Sequence, residues 1–179
     1  MLPSLNSALI SQVSRMVAKY IADQRDRYLP RAIPLSPEQR TDMSDFFSPE
    51  LLDSARLLVL QGERVPNPDF YPMLRSVGLT GLPDQATMAA ITFGNVVVSH
   101  GPFSRGVLFH ELVHVEQYRQ LGIDRFAELY VRGFLAGGGY DGIPLEVNAH
   151  ILGAQYEAGE LPAFSVADEV RKWIAEGKF

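Results

Sequence analysis

The chain of 179 residues contains no cysteine. Disulfides, iron–sulfur clusters and thiolate zinc sites are therefore excluded, and any transition metal must be held by histidine and carboxylate. Positive charge is also scarce, with Lys+Arg 16 against Asp+Glu 21, a net charge of −5 and a pI near 5.3. That balance gives no basic footprint for nucleic acid or anionic lipid, so neither is expected as a partner. No stretch approaches the roughly 20 apolar residues of a membrane span, and no positively charged leader precedes an apolar core. A cytoplasmic protein that does not engage a membrane is the expectation.

What remains is ordinary globular composition, 46% hydrophobic and 21% charged, in a chain long enough to close one sizeable core. One domain over residues 1–179 is expected, with an N-terminal helix and proline-rich connection over 1–35 and a metal-site core over 88–152. Leu5, Leu9, Val13, Met16, Val17, Tyr20 and Ile21 recur at helical spacing after Pro3 and Ser4. They predict an amphipathic packing helix of about six turns. Its polar face mixes Arg15, Lys19 and Asp23, which argues against a membrane-surface helix.

Ser36-Pro37-Glu38 and Ser48-Pro49-Glu50 each read as a helix start with proline in the first turn. Leu57 to Leu60 reads as a buried strand, and the punctuation at Pro66, Pro68 and Pro72 as an irregular connection. Ala89–Phe93 and Val96–Ser99 flank Gly94-Asn95 and predict a hairpin. A helix capped by Ser104 follows from about Arg105 to Leu121 and ends at Gly122; Asp124 opens another through Phe134, stopped by Gly137-Gly138-Gly139. That glycine run lacks the framing of a phosphate cradle and reads as a loop. Pro144 starts a further helix, and Ser165 with Asp168 caps a last one ending near Trp173-Ile174. The sum is an α+β architecture, mostly helical with a small sheet.

The chemistry concentrates in His110-Glu111-Leu112-Val113-His114, set within apolar Val107, Leu108, Phe109 and Val115. At helical pitch the two histidines lie one turn apart and can meet one ion, while Glu111 flanks the same face. This is the HExxH zinc-binding arrangement: imidazoles bind the metal, and the adjacent carboxylate reaches water as general base. A metal-free core network of the same three residues is the bland alternative, disfavoured because a buried ionised carboxylate needs a counter-charge.

A hydrolytic zinc site of this kind needs a third protein ligand. Glu146 and His150, at i and i+4 on the helix after the glycine loop, both fit, and Ala149 allows close approach. His100 precedes the metal helix as either a neighbour of the site or a plain loop histidine. Glu116 is expected to face outward, Gln117 to lie beside a ligand, Asp141 to be a turn residue and Glu128 to be solvated.

His110–His114 followed by Glu146-Val147-Asn148-Ala149 resembles the HExxH…ExxA pattern of gluzincin-type zincin metallopeptidases. His110 to Gln117 further resembles the HELxHxxQ helix of small bacterial metallopeptidase domains, the likeness covering about residues 88 to 152. The resemblance implies a zincin-like fold, Zn2+ held by His110, His114 and Glu146, Glu111 as base, and a tyrosine or histidine at the oxyanion. Tyr140 is the candidate for that last role and Tyr130 the second. Positions 117 and 120 are glutamines, which departs from the metzincin continuation. The implied activity is hydrolysis of a peptide or protein substrate, with the 89–99 hairpin available to pair with an extended chain. An inactive zincin-like binding module and a zinc hydrolase of a non-peptide amide are the alternatives.

Overall fold

A computed structural model describes residues 7–137, 139–159 and 163–179. Pro3, Ser4 and Leu5 at the expected start of the first helix, and Gly138 of the glycine run, lie outside them. The fold is a mostly helical α+β arrangement around a three-stranded sheet.

Helix α1, Ser7–Tyr28, buries Val13, Ala18, Ile21 and Tyr28 on one side, as its apolar spacing predicts. Two short helices follow, α2 at Pro37–Met43 and α3 at Pro49–Ser54. Each begins with a serine whose hydroxyl accepts from the backbone N–H three residues on, and Ser36 with Gln39 completes a reciprocal capping box. Strand β1, Arg56–Val59, leads into a connection that is not wholly irregular, because Tyr71–Ser76 forms helix α4. Pro72 sits in its first turn, where the missing N–H costs no hydrogen bond.

Strands β2, Ala90–Phe93, and β3, Val96–Ser99, form the expected hairpin. Gly94 takes φ 65° at its first turn position, a conformation that suits glycine and the twist of a two-residue turn. β3 is central, antiparallel to β2 and parallel to β1. Fully buried Val96, Val97 and Val98 divide their side chains between its two faces, as strand alternation requires.

Helix α5, Arg105–Gly137, has a break inside it. Gly122, at φ 74° and ψ 165°, is the non-helical joint between two helices, where the sequence predicts the first to stop and the second to follow. The Ser104 hydroxyl accepts from Val107 N–H at the start of α5. A single 3-10 turn, Tyr140–Gly142, leads to α6, Pro144–Ala158, which closes on left-handed Gly159. Helix α7, Val166–Ala175, is capped by Ser165. One core cluster packs Phe46, Phe47 and Leu51 against Phe109, Leu112 and Val113 of α5 and Leu152 of α6. A second places Ile21, Phe93, Val98 and Phe126 between α1, the sheet and α5. Among the described residues no helix is long and apolar enough to cross a membrane.

Candidate metal centre

The first half of α5 and the first turn of α6 face each other, bringing His110, His114 and Glu146 together. His110 Nε2 and His114 Nε2 lie 3.1 Å apart. Glu146 Oε2 stands 3.4 Å from the first and 3.2 Å from the second. Bonds of about 2.0–2.1 Å at tetrahedral angles place two ligand atoms about 3.3 Å apart, so this triangle is spaced as three corners of a tetrahedral metal shell would be.

A metal-free core network of these residues leaves one oxygen short of a hydrogen bond. Glu146 is buried, and its Oε2 makes no hydrogen bond although both imidazoles stand within ion-pair distance of it. A buried orphan carboxylate oxygen carries a desolvation cost that a cation removes. Two imidazoles and one carboxylate are also a fitting donor set for a divalent transition metal.

The surrounding contacts aim these ligands. Nδ1 of His114 donates to Gln117 Oε1 at 2.8 Å, which leaves Nε2 free to face the centre. The same amide donates through its Nε2 to Leu145 O at 3.0 Å and Asn148 Oδ1 at 2.9 Å. Gln117 thus ties the histidine helix to the glutamate helix, as a residue beside a ligand is expected to do. Ala149 is fully buried at this crossing. Gly133 is more tightly placed, since a Cβ there would come within 2.5 Å of Pro144 Cδ and 3.3 Å of Ile143 Cα.

Glu111 is buried and does not belong to the metal-ligating group. Its Oε2 accepts from Thr92 Oγ1 of β2 at 2.7 Å. Thr92 carries no signal in the sequence, because a threonine in an apolar strand is ordinary and the contact spans 19 residues. The Thr92 carbonyl accepts from Tyr118 Oη at 3.4 Å. One backbone position of the hairpin strand expected to meet an extended substrate is therefore already engaged within the chain.

Burial by itself lowers the His114 pKa, but the facing Glu146 carboxylate, with Glu111 and the Gln117 amide, outweighs it and raises the value from 6.5 to about 9. Burial likewise raises Glu146, and the two histidines reverse this, holding its carboxyl far below the usual range. Tyr140 lies at the mouth of α6 with its phenol against Glu146. Burial first, and then that carboxylate, push its pKa up, so it keeps its proton. Tyr130 is pushed up for the same reasons, burial foremost.

The other candidates separate clearly. His150 is exposed, with its ring centroid 4.6 Å from that of His110, and stands outside the three-ligand group. Burial and the His110 charge lower its pKa. His100 serves the loops, with Nδ1 against Met88 O at 2.6 Å and Nε2 accepting from Val65 N–H at 3.0 Å. Glu116 does not face outward as expected. It is buried, holds Arg119 through both carboxylate oxygens at 2.8 and 2.7 Å, and receives Gln120, whose amide also donates to Ala167 O in the first turn of α7. Asp141 occupies the 3-10 turn, and Glu128 pairs with exposed Arg125 and Arg132.

A cavity of about 130 Å³ runs from Glu111, His114, Glu146 and Tyr140 between α1, α4, β2 and the second half of α5. Comparison with known proteins returns no matching family model, no matching curated protein and no matching solved structure.

Proposed function

We propose that the protein is a zinc-dependent hydrolase of amide bonds, with peptide hydrolysis as its reference reaction. The observation that supports this most directly is the His110–His114–Glu146 triangle with its orphaned Glu146 oxygen, bordered by a carboxylate that is not a ligand. Zinc, when bound by those three residues, supplies polarisation of the scissile carbonyl and acidification of a water molecule. Glu111, oriented by Thr92, takes a proton from the attacking water and returns it to the leaving nitrogen. The carbonyl carbon gains the water oxygen, the C–N bond breaks, and a carboxylic acid and an amine leave. Tyr140, held protonated, donates a hydrogen bond to the developing oxyanion.

The test is zinc analysis and amide cleavage by untagged protein beside Glu111→Gln. Stoichiometric zinc in both, with turnover reduced about 10²- to 10⁴-fold in the variant, supports the reading. Tight zinc binding by a wild-type protein that cleaves no amide assigns the site to a binding module instead. Absence of zinc under zinc-replete conditions overturns it.

A further inference from the structure

The cavity beside the metal centre is chemically divided. At one end stand Glu111, His114 and Glu146; among the described residues no lysine, arginine or aspartate borders it. Beyond that end, Ile10, Val13 and Val17 of α1, Leu74 of α4, and Val131 and Leu135 of α5 form the walls. Three of the polar tips that approach it are already used within the chain. Tyr20 Oη donates to Pro66 O at 2.7 Å, Tyr118 Oη to Thr92 O at 3.4 Å, and the Gln85 amide to Tyr71 Oη at 3.4 Å.

This supply of contacts discriminates between occupants. A polypeptide segment carries an N–H and a C=O at nearly every residue; the walls of α1, α4 and α5 have no free backbone groups to receive them, so only β2, an edge strand, and the loop segments offer any. An aliphatic chain has no such groups and gains by leaving water. Apolar walls with a few convergent polar groups at one end suit an amphiphile whose head reaches those groups.

We propose that the cavity takes the aliphatic chain of an acyl group, so that the substrates of the hydrolase are long-chain N-acyl amides. This deepens the functional reading above and rests on it for the chemical step. The acyl carbonyl lies at the metal end, water adds to its carbon, and the acyl C–N bond breaks. The amine departs with the proton delivered by Glu111, and the fatty acid remains as the second product.

Two measurements on the full chain separate the cavity from the chemistry. In the first, saturated fatty acids from hexanoate to hexadecanoate compete with 1-anilinonaphthalene-8-sulfonate for chelator-treated protein. Affinity is expected to rise about fourfold for each added methylene until the cavity is filled. In the second, zinc-loaded protein is offered 7-amino-4-methylcoumarin amides from acetyl to palmitoyl, and kcat/KM is expected to rise in parallel. Val17→Trp and Leu135→Trp, on α1 and α5, are each expected to move the optimum to shorter chains. The wild-type length series stands even where a variant folds poorly. Binding that ignores chain length overturns the acyl-chain assignment, and cleavage of peptides alongside it leaves the hydrolase reading intact. Length-dependent binding without cleavage of any amide supports the assignment of the cavity and ends the hydrolase reading.

Discussion

Gln117 Oε1 lies 2.8 Å from Nδ1 of His114, and the amide nitrogen of the same side chain reaches Leu145 O and Asn148 Oδ1 on the opposite helix. One fully buried side chain therefore fixes the tautomer of one ligand and the position of the helix that carries another. Gln117→Leu is expected to weaken zinc binding about 10- to 100-fold. It should also cost about 1–3 kcal/mol of stability for the buried polar groups it strands. Competition with a chromogenic chelator and urea denaturation measure the two effects, and unchanged zinc affinity would refute the orienting role.

Thr92→Val keeps the shape of the strand residue and removes the donor to Glu111. Zinc content is expected to persist while kcat falls about tenfold, because a misdirected base loses part of a contribution worth about 10²–10⁴. A fall in KM alone, with kcat unchanged, would contradict it.

Without metal, stability should depend on pH through the His114–Glu146 pair. The raised His114 pKa means that the folded chain binds this proton more tightly than the unfolded chain. Its contribution is thus fully present below about 6.5 and lost as pH rises through about 9. The depressed Glu146 value acts oppositely, contributing above the ordinary 4.5 and fading as pH falls toward its folded value. Chelator-treated protein is expected to show the pair's largest contribution between these ordinary values, and its urea midpoint should drop from pH 6.5 to 9. Zinc requires neutral imidazole, so its affinity should rise over that interval with release of a proton, measurable by calorimetry in buffers of different ionisation enthalpy. A flat midpoint in the metal-free protein would refute the pairing.

Gly133→Ala drives a methyl group into the start of α6. Backbone must move there, and Glu146 lies in the first turn of the helix that moves. A destabilisation of about 1–3 kcal/mol with weakened zinc binding is expected. Gly153→Ala on the same helix has open space around its Cβ and should stabilise by about 0.5–1 kcal/mol. Equal effects at the two positions in thermal melts would refute the close-approach argument.

The local features of this fold were legible in order of residues alone. Serine caps, the Gly94-Asn95 turn and the i, i+4 histidines are short-range devices, and each stands where its spacing predicts. Glu146 was reachable because two candidate ligands shared one helix face and the structure brings the first of them to the histidines. Other features depend on distant packing. Thr92 meets Glu111 only because β2 lies against α5, and Glu116 is enclosed by its own Arg119 and Gln120 together with the first turn of α7. Helix α4 is hidden in the sequence because Pro72 suits a break in the chain as well as the first turn of a helix, where it in fact stands. No local pattern in α1 announced that its apolar stripe would line a cavity as well as a core.

The break at Gly122 divides the labour of the longest helix. Upstream of it stand the imidazoles; downstream stand Val131, Phe134 and Leu135, which wall the cavity. The downstream half still bears on the site through Gly133, which packs against Ile143 and Pro144 at the start of the helix that carries Glu146, so one stretch of chain both shapes the cavity wall and seats the third member of the triangle.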